Sequence, residues 1–282
     1  METRPDRNNP FSYADAGDPL LKRLAIRALE RATGARHIER LYRARQAQGW
    51  ADAAGASFFR TAISALSLDV QYDDARLARI PRERPLVVVS NHPFGVLDGI
   101  VMCAIMERAR PDFLVLTNAV LMRAPEMQKV VLPVDFSETR EAQRINVESR
   151  AKALAHVAAG GCVVIFPAGA VSTSADRLGG RPAEDGAWSP FAARLVARAQ
   201  ASVLPVYFPG QNSRLFQIVS HIHPSLRLGL FFHEVRRRIG TPFPVEIGEA
   251  IANAAFAGMD RAALTKALRD SVYALGAQPR PR

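Results

Sequence analysis

Two cysteines, Cys103 and Cys162, are all that 282 residues contain, and both sit in apolar surroundings. A disulfide framework is therefore excluded, and the pair reads as two buried thiols in a reducing compartment. No Cys/His pattern with metal-ligand spacing occurs. His221 and His223, beside Pro224, are alone a weak signal for a metal. No window of 18 apolar residues exists, since Glu107, Arg110 and Arg227 interrupt the best runs, so a spanning helix is not expected. The start, "METRPDRNNPFSYADAGDP", has no apolar core of a secretory signal. There is no internal repeat and no motif that reads DNA or RNA.

What is present is an ordinary globular composition, 48% apolar and 23% charged, with a net charge of +10 carried mainly by arginine. That charge suits an anionic membrane or nucleic acid. The scattered arginines and the missing nucleic-acid motif exclude nucleic acid as the expected partner. The length is ample for one large domain or a domain with a helical extension.

Residues 1–80 read as an amphipathic helical arm. Over 19–33, Leu20, Leu21, Leu24, Ala25, Ala28 and Ala32 recur at helical spacing, with Lys22, Arg23, Arg27 and Arg31 on the remaining surface. That pattern fits a helix packed on the domain with a solvated basic face, and it also fits an interfacial helix on anionic lipid. Further helices are expected over 36–48 and 56–67, followed by a polar connection. From residue 81 to 282 strands and helices alternate. Apolar runs at 85–91, 112–118, 130–135, 162–168 and 202–208 are interleaved with helical patterns at 145–161 and 189–200. Runs apolar on both faces suit strands covered on both sides. The expected fold is α/β, a mostly parallel or mixed central sheet flanked by helices and preceded by the helical arm. A late strand over 243–251 and a last helix capped by Asp260 complete it, and the tail "AQPRPR" is expected to be disordered.

The chemistry concentrates in "VVVSNHPFGVLDGIVM", residues 87–102. A buried strand ends at Asn91–His92, Pro93 and Gly95 make a turn, and Asp98 falls at the head of the next helix. In open α/β sheets, sites gather where strands end and helices begin. A carboxylate bonded to one imidazole nitrogen fixes the tautomer and leaves the other nitrogen as a base. No serine or cysteine nucleophile sits at a recognisable elbow, so a dyad here would act on a nucleophile belonging to the substrate. Spacing alone fits equally well an N-cap at Asp98 and a satisfied histidine under a loop.

"NHPFGVLDG" resembles the His–Asp block of the glycerolipid acyltransferase superfamily, the lysophosphatidate acyltransferase-like enzymes, with five residues rather than four between His92 and Asp98. That spacing resembles a bacterial branch labelled haemolysin and related to lyso-ornithine lipid O-acyltransferases. "FPAGAVSTS" (166–174), "VLPVYF" (203–208), "GQNSRLFQ" (210–217) and "VEIGEAI" (245–251) are similar, in order, to later blocks. The resemblance implies an O-acyltransferase of membrane lipid synthesis. His92 would be the general base and Asp98 its partner, while Asn91, Gly95, Arg140, Phe166, Pro167, Ala168 and Gly169 would contact substrate. It implies no resident cofactor and no metal. The co-substrate would be a thioester of acyl carrier protein or coenzyme A, the acceptor a lysolipid, and the location the cytoplasmic face of the inner membrane, peripherally on its anionic surface. Arg140 and Arg144 are candidate contacts for a phosphopantetheine arm or a headgroup. Trp188 is a candidate lipid anchor or packing residue.

Two positions depart from the family blocks. Ala168 stands where the family carries a glutamate, and Asp135 stands near the place of a phosphate-binding arginine. An acid there repels phosphate, which leaves room for a lyso-aminolipid or another hydroxylated amphiphile as acceptor. The alternative is a non-catalytic lipid-binding or membrane-active, haemolysin-like protein.

Overall fold

The computed structural model describes residues 19–49, 57–222 and 226–277. The proline-broken start, His223 and the last five residues of the tail lie outside them. The chain enters through α1 (Leu20–Thr33) and α2 (Ala35–Gln48), joined at Gly34, whose φ of 107° suits glycine. α3 (Phe58–Ala65) is capped by the Ser57 hydroxyl, which accepts the Arg60 N–H. A short strand, β1 (Asp69–Gln71), follows, and the stretch read as a polar connection, 73–85, contains one helical turn, α4 (Asp74–Ala78), capped by Asp73.

The expected alternation follows: β2 (Leu86–Ser90), α5 (Val96–Ala109), β3 (Phe113–Asn118), β4 (Val131–Val134), α6 (Arg140–Ala158) and β5 (Cys162–Ile165). A small antiparallel ribbon of β6 (Thr173–Ser174) and β7 (Ala183–Glu184) intervenes before α7 (Phe191–Ala199) and β8 (Ser202–Tyr207). α8 (Arg214–Ile222), α9 (Phe231–Arg238), β9 (Pro242–Pro244), β10 (Glu246–Ile247) and α10 (Arg261–Gly276) complete the described chain. Asp260 caps α10 as expected, accepting the Ala263 N–H at 2.8 Å.

The central sheet has six strands in the order β10–β8–β2–β5–β3–β4, parallel throughout except for β10. Alternation along β2 divides the core in two. Leu86 and Val88 face one apolar layer with α3 and α5, while Val87 and Val89 face the other with α6, α7 and α10. β2 therefore lies between two helical layers, and its C-terminal end opens between its neighbours β5 and β8. Phe59, Leu66, Leu68, Leu77 and Ile80 belong to the first layer, so residues 57–80 share the core of the sheet. The 243–251 strand is divided. β9 pairs in parallel with β1, and after Val245 the chain shifts to β8 as β10. Pro242 and Pro244 offer no N–H, and the Val245 N–H goes to Gln71 O at 2.8 Å.

α1 presents the face opposite to the one expected to pack. Ile26 is buried and Leu29 is packed against the cluster around Leu230 and Phe231. Leu20, Leu21 and Leu24 are 60%, 82% and 53% exposed. The physical reason is tertiary: α1 lies on the 226–230 turn and α9, and only the Ile26 side reaches them. The side chains of Lys22 and Ala25 lie outside the described set.

Candidate active site

β2 delivers Ser90 and Asn91 into the interior, and His92 emerges at the strand end. The Asn91 amide bridges to β8: its Nδ2 donates to Phe208 O at 2.9 Å and its Oδ1 accepts the Phe208 N–H at 2.8 Å. Asn91 is thus a buried tie that extends the β2–β8 pairing, with both amide ends engaged by backbone; the expected substrate contact is not available to it. Gly95 is required twice over. Its φ is 71°, and a Cβ there meets Phe231 Cε1 at 2.8 Å and Val171 Cγ2 at 3.1 Å.

Asp98 is fully buried at the third position of α5. One carboxylate oxygen, Oδ2, accepts the N–H groups of Phe94 at 2.8 Å and Gly95 at 2.9 Å, and lies 3.0 Å from His92 Nδ1. Asp98 is thus not the N-cap itself, which is Gly95, but a residue of the first turn whose carboxylate reaches back to the helix start and also faces the imidazole. The His–Asp contact is close but off-axis for a linear N–H···O bond. Burial raises the Asp98 carboxyl above the ordinary carboxylate range, although His92 and the two N–H groups pull the other way.

The His92 side chain is 19% exposed, and among the described residues its Nε2 has no hydrogen-bond partner. Phe166 packs on the imidazole with ring centroids 4.3 Å apart. Phe166–Gly169 closes as a turn, the Gly169 N–H donating to Phe166 O at 3.0 Å, with Gly169 at a φ of 65°. Pro167 O accepts the Ser189 N–H, and Ala168 is partly exposed beside the apolar layer. Of the block 166–169, Phe166 thus stands directly against the imidazole.

Sequence reading missed Asp185. This buried carboxylate accepts the His92 N–H at 3.1 Å and the Ser172 hydroxyl at 2.6 Å on Oδ1, and the Trp188 indole N–H at 2.9 Å on Oδ2. Ser172 N–H in turn donates to His92 O at 2.9 Å. Both backbone groups of His92 are therefore held by the loop that follows β5. Trp188 is a packing residue serving Asp185, buried rather than anchored outward. Nothing local in the sequence marks Asp185, which is 93 residues from His92.

Arg140 opens α6 on the surface, and Arg144 is tied to Glu141 and Glu148 on the same helix. Cys103 and Cys162 are buried, and burial pushes both thiols up, Cys162 to about 12, so neither is a nucleophile. His221 Nε2 meets Ser174 O at 2.8 Å. Among the described residues no group of three or more His, Cys, Asp or Glu is placed to hold a metal.

A buried acid behind an imidazole whose outer nitrogen is free is an arrangement for proton transfer. A protein-family profile described as Acyltransferase matches residues 19–237, a span that contains the dyad, the 166–169 turn and Asp185. The chain belongs to the acyltransferase family. Among curated relatives of this acyltransferase-family chain, a lyso-glycine lipid O-acyltransferase from Phocaeicola vulgatus is 26% identical over 162 residues, 56% of this chain and 54% of the relative. The chain thus matches about half the length of that relative. Among solved structures, the 1-acyl-sn-glycerophosphate (LPA) acyltransferase PlsC from Thermotoga maritima shares the fold. Its TM-score is 0.51 at 16% identity, covering 78% of this chain and 76% of that one.

Proposed function

We propose that the chain is an O-acyltransferase that moves a fatty acyl group from an acyl thioester to the hydroxyl of a lysolipid. The observation that carries this reading is the pairing of a fully buried Asp98 with His92 Nδ1 at 3.0 Å while Nε2 stays free at a solvent opening. His92 Nε2 removes the acceptor hydroxyl proton as that oxygen attacks the thioester carbonyl. Collapse of the tetrahedral adduct breaks the carbon–sulfur bond, and the imidazolium returns its proton to the departing thiolate. Asp98 holds the tautomer and balances the imidazolium. General-base help of this kind is worth ~10²–10⁴-fold.

The donor in this reading is a thioester of acyl carrier protein or coenzyme A. The acceptor lies along the Phe166–Gly169 turn. A lyso-aminolipid fits better than a lysophosphatidate, since Asp135 stands near the place of a phosphate-binding arginine, and the curated relative is named for a lyso-glycine lipid. Membrane contact is supported by the outward stripe of Leu20, Leu21 and Leu24 on a basic chain. Among the described residues no helix is long and apolar enough to cross a bilayer, so the reading is of a chain lying on an anionic surface, at the cytoplasmic face of the inner membrane.

The test is incubation of the purified chain with a labelled acyl thioester and a panel of lyso-aminolipids and lysophosphatidate, with products weighed by mass spectrometry. Acylation of a lyso-aminolipid that disappears in His92→Ala supports the reading. No acylated product from any acceptor removes it.

A further inference from the structure

Next to Phe94, a residue of the turn that joins His92 to Asp98, lies a second group of polar residues that the reaction above does not use. A cavity of about 280 Å³ is lined by Gln211, Ser213, Glu234, Arg237, Arg238 and Thr241. Arg238 forms its link to the site. The guanidinium lies 4.1 Å over the Phe94 ring, and the Phe94 N–H is one of the donors to Asp98 Oδ2. Arg238 Nη2 also donates to Gln211 O at 3.0 Å.

The charge in this cavity is unbalanced. Glu234 is buried, and its two oxygens are taken by the Ser213 hydroxyl at 2.5 Å and the Ser213 N–H at 2.9 Å. Among the described residues neither Arg237 nor Arg238 has a carboxylate at ion-pair distance. Arg238 is half-buried, and desolvation depresses its pKa more than Glu234 and Asp98 restore it. A partly desolvated guanidinium whose direct contacts are a carbonyl and an aromatic face, with no ion pair, is a seat for an anion, above all one that accepts two parallel N–H bonds.

We propose that the cavity between Arg237, Arg238 and Thr241 seats the phosphate ester of the phosphopantetheine arm that carries the acyl thioester. This rests on the acyltransferase reading. In phosphopantetheine many bonds separate the thioester from the phosphate, so the phosphate belongs at the margin of the site rather than beside the imidazole. Two chemically distinct groups touch the turn that carries His92: the Phe166 ring on the imidazole and the Arg238 guanidinium on Phe94. Arg144, already neutralised by Glu141 and Glu148, lacks the free charge for this role.

Phosphopantetheine and pantetheine are titrated into the full chain at low salt by calorimetry, using wild type, Arg238→Met and Arg237→Gln. Melting curves check that each variant folds, and Arg238→Lys keeps the charge if the methionine variant fails. The phosphate is expected to tighten binding by ~10-fold or more in wild type, as a charge-assisted pair warrants. That preference should vanish in Arg238→Met and shrink in Arg237→Gln. Acyl-donor titration should show KM rising by ~10-fold in Arg238→Met while lysolipid saturation is unchanged. Equal binding of the two compounds to wild type overturns the seat. A shift in lysolipid saturation without one in the donor assigns the anion to a lipid headgroup and overturns the donor assignment. Discrimination by wild type in the absence of any acyl transfer supports the seat and removes the acyltransferase reading alone.

Discussion

At the residue scale, one carboxylate oxygen of Asp98 does three jobs, holding two backbone N–H groups and facing the imidazole. His92→Ala should retain the wild-type melting temperature and lose transfer by ~10²-fold or more, measured as turnover of a labelled thioester. Asp98→Asn separates activity from stability. Burial lifts the Asp98 carboxyl, so the folded chain holds this proton more tightly than the unfolded chain. Its contribution to stability is complete below the unfolded carboxylate value and is lost as pH rises through the lifted one. The amide removes that loss, so Asp98→Asn should melt higher than wild type at neutral pH, by about 1 kcal/mol of stability, while turnover falls. A variant that melts lower across the whole range contradicts the burial argument. Asp185→Asn should lower turnover with little change in KM, because it loosens His92 without touching substrate; an unchanged turnover number assigns Asp185 to stability only.

At the element scale, α1 shows how far periodicity reaches. The helix and its apolar stripe were legible, because residues three and four apart share a face. Which face packs was not, since Ile26 and Leu29 find partners only once α9 and the preceding turn are in place. The exposed Leu20, Leu21 and Leu24 then carry a prediction. Burying a leucine is worth about 1.5–3 kcal/mol. Changing all three to glutamate should reduce sedimentation with anionic vesicles at least ~10-fold, with the melting temperature unmoved. Equal sedimentation would remove α1 from the membrane contact. β9 and β10 make the converse point: one apolar run, read as one strand, serves two sheets because its prolines cannot donate to a single ladder.

At the scale of the whole molecule, Arg110 joins distant segments. Its fully buried guanidinium donates to Pro81 O, Arg84 O and Gly160 O and pairs with Asp112 in two bonds. The entry to β2, the start of β3 and the end of α6 meet on it. Arg110→Met leaves three carbonyls and a carboxylate without their donor and should destabilise by about 3–5 kcal/mol in urea unfolding. Turnover per folded molecule should be unchanged. A loss below ~1 kcal/mol would mean that water replaces the guanidinium.

The alternation of strands and helices and the buried thiols were determined by sequence alone, because each rests on periodicity; the spacing of His92 and Asp98, a single turn apart, allowed their meeting without deciding between it and a helix cap. Only the tertiary structure decided that Asp185 clamps His92, that Asn91 faces inward to Phe208, that Arg238 lies over the Phe94 ring, and that α1 turns Leu20, Leu21 and Leu24 outward. Those relations join residues many positions apart, and the chain sets their distances only when two helical layers close on the sheet.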